Sequence, residues 1–100
     1  MYRLIYAEEA DRDLQVIYDY IAADSPSRAV QYLGKMEQAI LQLQEFPNMG
    51  HESRYREMRA LGVRTLSFED YLIFHTVNKQ SETVSIVRVL HGSVDYKRLF

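Results

Sequence analysis

Apolar residues along this chain fall into three different patterns. In Tyr2-Arg3-Leu4-Ile5-Tyr6 they alternate, which predicts a short strand with Tyr2, Leu4 and Tyr6 on one face. From about Ala7 the interval lengthens. Ala10, Leu14, Ile17 and Ile21 recur at four-three-four spacing, the stripe of an amphipathic helix that runs to about Ala23. Glu8, Glu9 and Asp11 fall in its first turn, where the helix dipole favours acids, but no Ser, Thr, Asp or Asn stands at the cap. Arg12 is placed to pair back with Glu8 on the exposed face. Asp24-Ser25-Pro26-Ser27 is a restart signal, with Ser25 as cap and Pro26 at the first helical position. The second predicted helix carries Ala29, Leu33, Met36, Ile40 and Leu43 on one face, flanked by Tyr32 and Ala39. It closes at Phe46, because Pro47 moves the preceding residue out of the helical region. Two amphipathic helices joined by so short a link form an antiparallel hairpin.

The third pattern lies between Gly62 and Gly92. Tyr71-Leu72-Ile73-Phe74-His75-Thr76-Val77 has no charge and no breaker and is apolar on both parities, so it reads as a central strand covered on both faces. Val63–Phe68 precedes it through Glu69-Asp70, and Thr83–Leu90 follows it through Asn78–Glu82. Both links are of hairpin length, which predicts an antiparallel meander. The expected fold is therefore α+β: an N-terminal strand, then an antiparallel αα-hairpin packed on one face of an antiparallel meander sheet, in the order β-α-α-β-β-β. If the helices cover the parity of Tyr71, Ile73, His75 and Val77, then Leu72 and Phe74 point the other way. No remaining segment reads as apolar enough to cover them, so they are expected to form an exposed patch of the kind that marks an interaction site.

Asn48–Glu57 reads as a polar surface loop, with Met58-Arg59-Ala60-Leu61 as a candidate start of strand. Arg54, Arg56, Arg59 and Arg64 make this the most basic part of the chain. The choice there lies between a phosphate-binding or acidic-partner patch and an ordinary solvated loop interleaved with Glu52 and Glu57, and the loop is the preferred reading.

Composition narrows the picture. One hundred residues with 47% hydrophobic content are expected to form a single globular domain over residues 1–100. No run is long enough to span a bilayer, and Met1-Tyr2-Arg3 opens no signal-peptide pattern. Without cysteine there is no disulfide framework, thiolate nucleophile or Cys-based zinc site. A cytoplasmic setting and no membrane partner are expected. The formal charge of −2 disfavours broad nonspecific nucleic-acid binding, although a local basic patch is compatible with it.

The three histidines are far apart and lack metal-ligand spacing, so neither a metal nor a cofactor is expected. His75, inside the central strand, reads as a satisfied core histidine. His91 ends the last strand at His91-Gly92-Ser93-Val94-Asp95, where a polar side chain can reach a cleft. His91, Ser93 and Asp95 are the residue types of a hydrolytic triad but stand too close along the chain for its geometry. The tail Asp95-Tyr96-Lys97-Arg98-Leu99-Phe100 is basic and aromatic, either a contact segment or a terminal turn held by Leu99 and Phe100.

The order of these signals resembles the RelE/ParE superfamily of bacterial type II toxins. The resemblance rests on the Tyr2 strand; on Ala10, Asp13, Leu14, Ile17, Tyr20, Ile21 and Ala22; on Ser25-Pro26, Ala29 and Tyr32; on Leu43, Pro47 and Gly50; and on Tyr71–Phe74 and Arg88-Val89-Leu90-His91-Gly92. It covers nearly the whole chain in order. It implies a cytoplasmic, growth-inhibiting toxin of a module that stabilises plasmids or chromosomal regions, neutralised by a cognate antitoxin. RelE-like members cleave messenger RNA on the ribosome with basic residues on the middle strands and an arginine just past the last one. Those positions fall here on Val63, Thr65, Leu72 and Ser93, and the common His-Gly-x-Arg-Asp ending has Val94 where the arginine stands. None of these side chains stabilises a phosphate charge or moves a proton efficiently near neutral pH. The departures suit the ParE-like branch, which binds DNA gyrase and traps its cleavage complex.

Leu72, Phe74 and Arg64 are then the expected antitoxin-binding residues, with a second copy of the chain as the other cover for the patch. His91, Asp95, Lys97, Arg98 and Phe100 are the expected target contacts. Arg88, His91 and Lys97 are the catalytic candidates under the ribonuclease alternative. A third alternative is a detoxified antitoxin-binding module.

Overall fold

A computed structural model describes residues Met1–Phe100. The chain runs β1 (Arg3–Tyr6), α1 (Glu8–Ala22), α2 (Pro26–Leu41), a 3-10 turn (Gln42–Gln44), β2 (His51–Glu52), α3 (Arg56–Ala60), β3 (Arg64–Phe68), β4 (Tyr71–Asn78), β5 (Thr83–His91) and a second 3-10 turn (Tyr96–Leu99). The strands form one sheet in the order β1-β5-β4-β3-β2. The expected α+β architecture holds, with β1 parallel to β5 and β3-β4-β5 an antiparallel meander centred on β4. No helix is long and apolar enough to cross a membrane.

The helix boundaries follow their local chemistry. At the start of α1, Ala7 provides no side-chain cap, whereas the Ser25 hydroxyl accepts the Arg28 N–H at 3.3 Å with Pro26 opening α2. The predicted stripes pack against one sheet face. Ala10, Ile17, Met36, Ile40 and Leu43 meet Ile73, Val84, Ile86 and Val89 in the main core, with Tyr2, Leu4 and Tyr6 along its side.

A bulge in β5 sets the opposite face. Phe74 pairs with Arg88 but His75 pairs with Ile86, so Val87 is the extra residue. Without it, strict alternation would put Ile86, Arg88 and Leu90 on one side. With it, Val84, Ile86 and Val89 face the helices while Val87 and Leu90 join a second cluster.

That second cluster corrects the expectation of a bare face. Phe74 is completely buried, packed with Met58, Val63 and Leu90 and covered by Tyr55, Tyr96 and Phe100. The cover comes from the two segments that read as polar loop and short tail. Met58–Leu61 does not begin a strand. It lies in and caps α3, which ends in a Schellman motif: Gly62 takes φ +74°, its N–H bonds to Arg59 O at 2.9 Å, and Val63 N–H bonds to Met58 O at 3.0 Å. The accompanying contact between Val63 and Met58 lands both on Phe74. At the sheet edge, Gly50 takes φ +87°, and a Cβ there would lie 2.3 Å from Thr65 O, so the β2 approach to β3 requires glycine.

Candidate functional site

Two surfaces and one strand end carry the polar chemistry. The strand end is β5. After Tyr6 the chain of β1 leaves for α1, so β5 beyond Ile86 has an open edge. Asp13 of α1 closes it. Its carboxylate accepts the Val89 N–H at 2.9 Å and both Nε and a terminal nitrogen of Arg88 at 2.8 and 2.9 Å. Both side chains are mostly buried, and the hydrogen bonds to Asp13 hold the Arg88 pKa above its usual value. Arg88 is thus a fork–fork partner of α1 and a structural clamp.

His91 follows at the strand end. Its Nδ1 accepts the Ser93 N–H at 3.1 Å and lies 2.8 Å from Ser93 Oγ. The ring edge meets Tyr71 at 5.4 Å between centroids. Asp95 is exposed and makes no hydrogen bond to His91, so His91, Ser93 and Asp95 do not form a base held by a carboxylate.

His75 is wholly buried on the helix side. Its Nδ1 lies 3.4 Å from Ile73 O, but its Nε2 has no partner, which corrects the expectation of a satisfied histidine. Burial pushes its pKa down, and Arg64, its cross-strand neighbour, pushes the same way. Arg64 itself donates to Asn48 O at 2.7 Å and Gly50 O at 3.2 Å, tying down the loop before β2. Of the three residues expected on an antitoxin patch, then, Phe74 is core and Arg64 is a loop tie. Leu72, like Arg64, stays partly exposed, and it lies at the margin of the second cluster. Val63 and Thr65 are buried, and Ser93 is exposed beside His91.

The first surface is a groove of about 670 Å3 where α1, the start of α2 and the ends of β4 and β5 meet. Tyr32, Tyr71 and His91 line it, linked by edge-on contacts of Tyr71 with both Tyr32 and His91. Burial pushes the Tyr32 phenol up to about 12, with the Glu69 charge adding to it, so its hydroxyl stays neutral. Val16 and Tyr20 form one wall and Val94 the lip, with exposures of 66%, 79% and 40%. The wall is thus apolar and open to solvent. Sequence reasoning missed it, although Val16 and Tyr20 stand four apart and off the buried stripe, a second apolar stripe on the same helix.

The second surface lies on the opposite sheet face, where α3 meets the C-terminal 3-10 turn. Arg54 and Lys97 both stand 5.2 Å from the centre of the Tyr55 ring. Tyr55 meets Tyr96 edge-on at 5.9 Å. Of the expected target contacts, Lys97 and Arg98 are exposed here, while Phe100 turns inward onto Phe74 at 5.2 Å. No three His, Asp or Glu side chains on the molecule converge as metal ligands.

These features can be set beside known proteins. Among curated proteins none matches the chain. Solved structures do. The chromosomal ParDE toxin–antitoxin system from P. aeruginosa contains a chain 26% identical to this one, with a TM-score of 0.75, over 91% of this chain and 96% of that one. The toxin–antitoxin complex RelBE2 from Mycobacterium tuberculosis shares the fold at 22% identity and a TM-score of 0.63, over 90% and 96%. The isolated RelE toxin from E. coli shares it at 14% identity and a TM-score of 0.65, over the full length of both. The sequence profile of the ParE toxin of the type II toxin–antitoxin system, parDE, matches residues 4–96. The chain therefore belongs to the ParE toxin family, within the RelE/ParE superfamily of type II toxins.

Proposed function

We propose that this chain inhibits growth in the cytoplasm by binding DNA gyrase and trapping its cleavage complex, and that a cognate antitoxin holds it inactive. The observation that carries the choice of target is what stands on the strands and how the cations beside them are used. Arg88 clamps Asp13, Arg64 ties Asn48 and Gly50, and Arg59 donates to Ser53 O at 2.9 Å. The strand positions where a ribonuclease would carry basic groups hold Val63, Thr65 and Leu72. Cleaving a phosphodiester requires charge stabilisation and proton transfer converging on one phosphate, and these groups do not supply it. A toxin that works by occupying a protein target needs only surface.

The antitoxin reading is supported by the relatives described as toxin–antitoxin complexes and by the open Val16–Tyr20 wall. An amphipathic segment laid along that wall, its apolar side chains over Tyr32 and Tyr71, is the occupant that fits.

Two assays on the purified protein test the target. Gyrase supercoiling should be inhibited, with linear DNA accumulating after detergent and protease treatment, while messenger RNA on programmed ribosomes stays intact. Ribosome-dependent cleavage with unaffected supercoiling would overturn the gyrase reading and return Arg88, His91 and Lys97 to candidacy.

A further inference from the structure

We propose that the face formed by α3 and the C-terminal 3-10 turn binds the phosphate backbone of nucleic acid directly, without cutting it. The surface is assembled by the fold: Arg54 and Arg56 come from one segment and Lys97 and Arg98 from another some forty residues later, and all four are exposed. The three ion pairs of the molecule involve Arg12, Arg28 and Arg88, so none of these four cations is neutralised by a carboxylate.

The charge is also segregated. Residues 52–59 and 95–99 hold five of the 12 Lys and Arg but three of the 14 Asp and Glu, leaving seven cations against eleven anions elsewhere. A chain of net charge −2 thus presents a locally positive face on an otherwise acidic body. That arrangement reconciles the overall charge, which disfavours indiscriminate binding, with a specific basic footprint.

Two of the four cations are held in place. Phe74 in the core contacts Tyr96 at 4.9 Å between centroids, Tyr96 contacts Tyr55 at 5.9 Å, and the Tyr55 ring positions Arg54 and Lys97. Arg54 also donates to the Tyr55 hydroxyl at 3.1 Å. Long side chains already ordered on a ring lose less freedom when a phosphate arrives between them.

The partner we assign is nucleic acid and not an acidic protein because the cations flank the Tyr55 and Tyr96 rings, a pairing of spaced charge with aromatic faces that suits a backbone and its bases. None of the principal cavities is lined by Arg54, Arg56, Lys97 or Arg98. A protein interface concentrates its energy in a desolvated apolar centre, whereas a polyphosphate backbone needs only spaced cations.

The test uses the purified chain alone, so its outcome is independent of whether gyrase is the target. Fluorescence anisotropy with labelled 12-nucleotide single-stranded DNA, the same RNA sequence and a 12-base-pair duplex separates the possible backbones. Binding should appear at 50 mM salt and weaken with a log–log slope of about −3 on single strands, the value for roughly four phosphates neutralised. Arg54→Glu with Lys97→Glu should weaken it at least about tenfold and roughly halve that slope. Arg56→Ala with Arg98→Ala gives an independent reading should the charge reversal disturb folding by circular dichroism. Arg12→Glu with Lys35→Glu, on the helices, should change affinity less than about twofold. Absence of binding at 50 mM salt overturns the proposal, as does equal weakening by the helix substitutions. Competition by poly-glutamate as effective as that by the oligonucleotide would overturn it in favour of an acidic polypeptide.

Discussion

Asp13 and His75 show how single side chains decide what the strands can do. Asp13 satisfies a backbone N–H on an open sheet edge and a guanidinium in one stroke. Asp13→Ala leaves both unpaired in a mostly buried setting and should cost on the order of 3 kcal/mol in urea denaturation. Arg88→Ala should also destabilise, and the double mutant should reveal a coupling of at least about 1 kcal/mol. Arg88→Ala with wild-type stability would mean that the clamp is not its role. His75 acts through pH. An unfolded histidine titrates near 6.5, whereas burial lowers the folded value. Above that pH both states are neutral and His75 contributes no pH dependence. As pH falls through about 6.5 the unfolded chain takes up a proton that the folded chain resists, so stability falls, by at most about 1.4 kcal/mol per pH unit. The urea midpoint of wild type should therefore drop more between pH 7.5 and 5.5 than that of His75→Gln. Parallel curves for the two proteins would show that the folded state accepts the proton.

At the scale of elements, the second cluster is the feature that most changes the picture. Phe74 sits under α3 on one side and the 3-10 turn on the other. Phe74→Ala should cost about 3–5 kcal/mol, and deleting residues 96–100 should cost on the order of 3 kcal/mol by uncovering it. Both are measured by chemical denaturation. A truncated protein as stable as the full chain would mean that the tail only rests on the sheet. The reason the sequence hid this cluster is physical. Periodicity is legible over several turns, as in α1 and α2, and over several alternations, as in the meander. A five-residue helix and a four-residue 3-10 turn offer too few positions for any period, and Met58 alone marks the buried side of α3. The turn chemistry was there in Gly62, a C-terminal cap glycine whose helix was too short to suggest one. The bulge at Val87 is equally silent, since an extra residue in a β-branched run looks like more strand. The helical hairpin, its Ser25 cap and the parity of the central strand were legible because each rests on several residues that agree.

For the whole molecule, the sheet separates two surfaces of opposite character, a groove walled by Val16 and Tyr20 beside the helices and a basic face over Phe74. If the antitoxin fills the groove and nucleic acid the basic face, as proposed, loss of one contact need not remove the other. The proposed seat of the antitoxin segment is the groove, whose wall is apolar and exposed and two of whose rim charges are already paired, Asp13 with Arg88 and Arg28 with Asp24. Val16→Glu with Tyr20→Glu puts two carboxylates on that wall at positions outside the core stripe, so the fold should survive. Binding of the cognate antitoxin, measured by titration calorimetry, should weaken at least about 100-fold, or roughly 2.7 kcal/mol. Expression of the variant should arrest growth as the wild type does, and co-expression of the antitoxin should fail to relieve the arrest. A folded variant that binds antitoxin with wild-type affinity would place the antitoxin elsewhere. Sedimentation of the free protein separates the remaining occupant: a wild-type dimer made monomeric by the substitutions, with antitoxin affinity unchanged, would make the groove a contact between two copies of the chain. Tyr20, more exposed than any other large hydrophobic except Met1, is where that difference should be greatest.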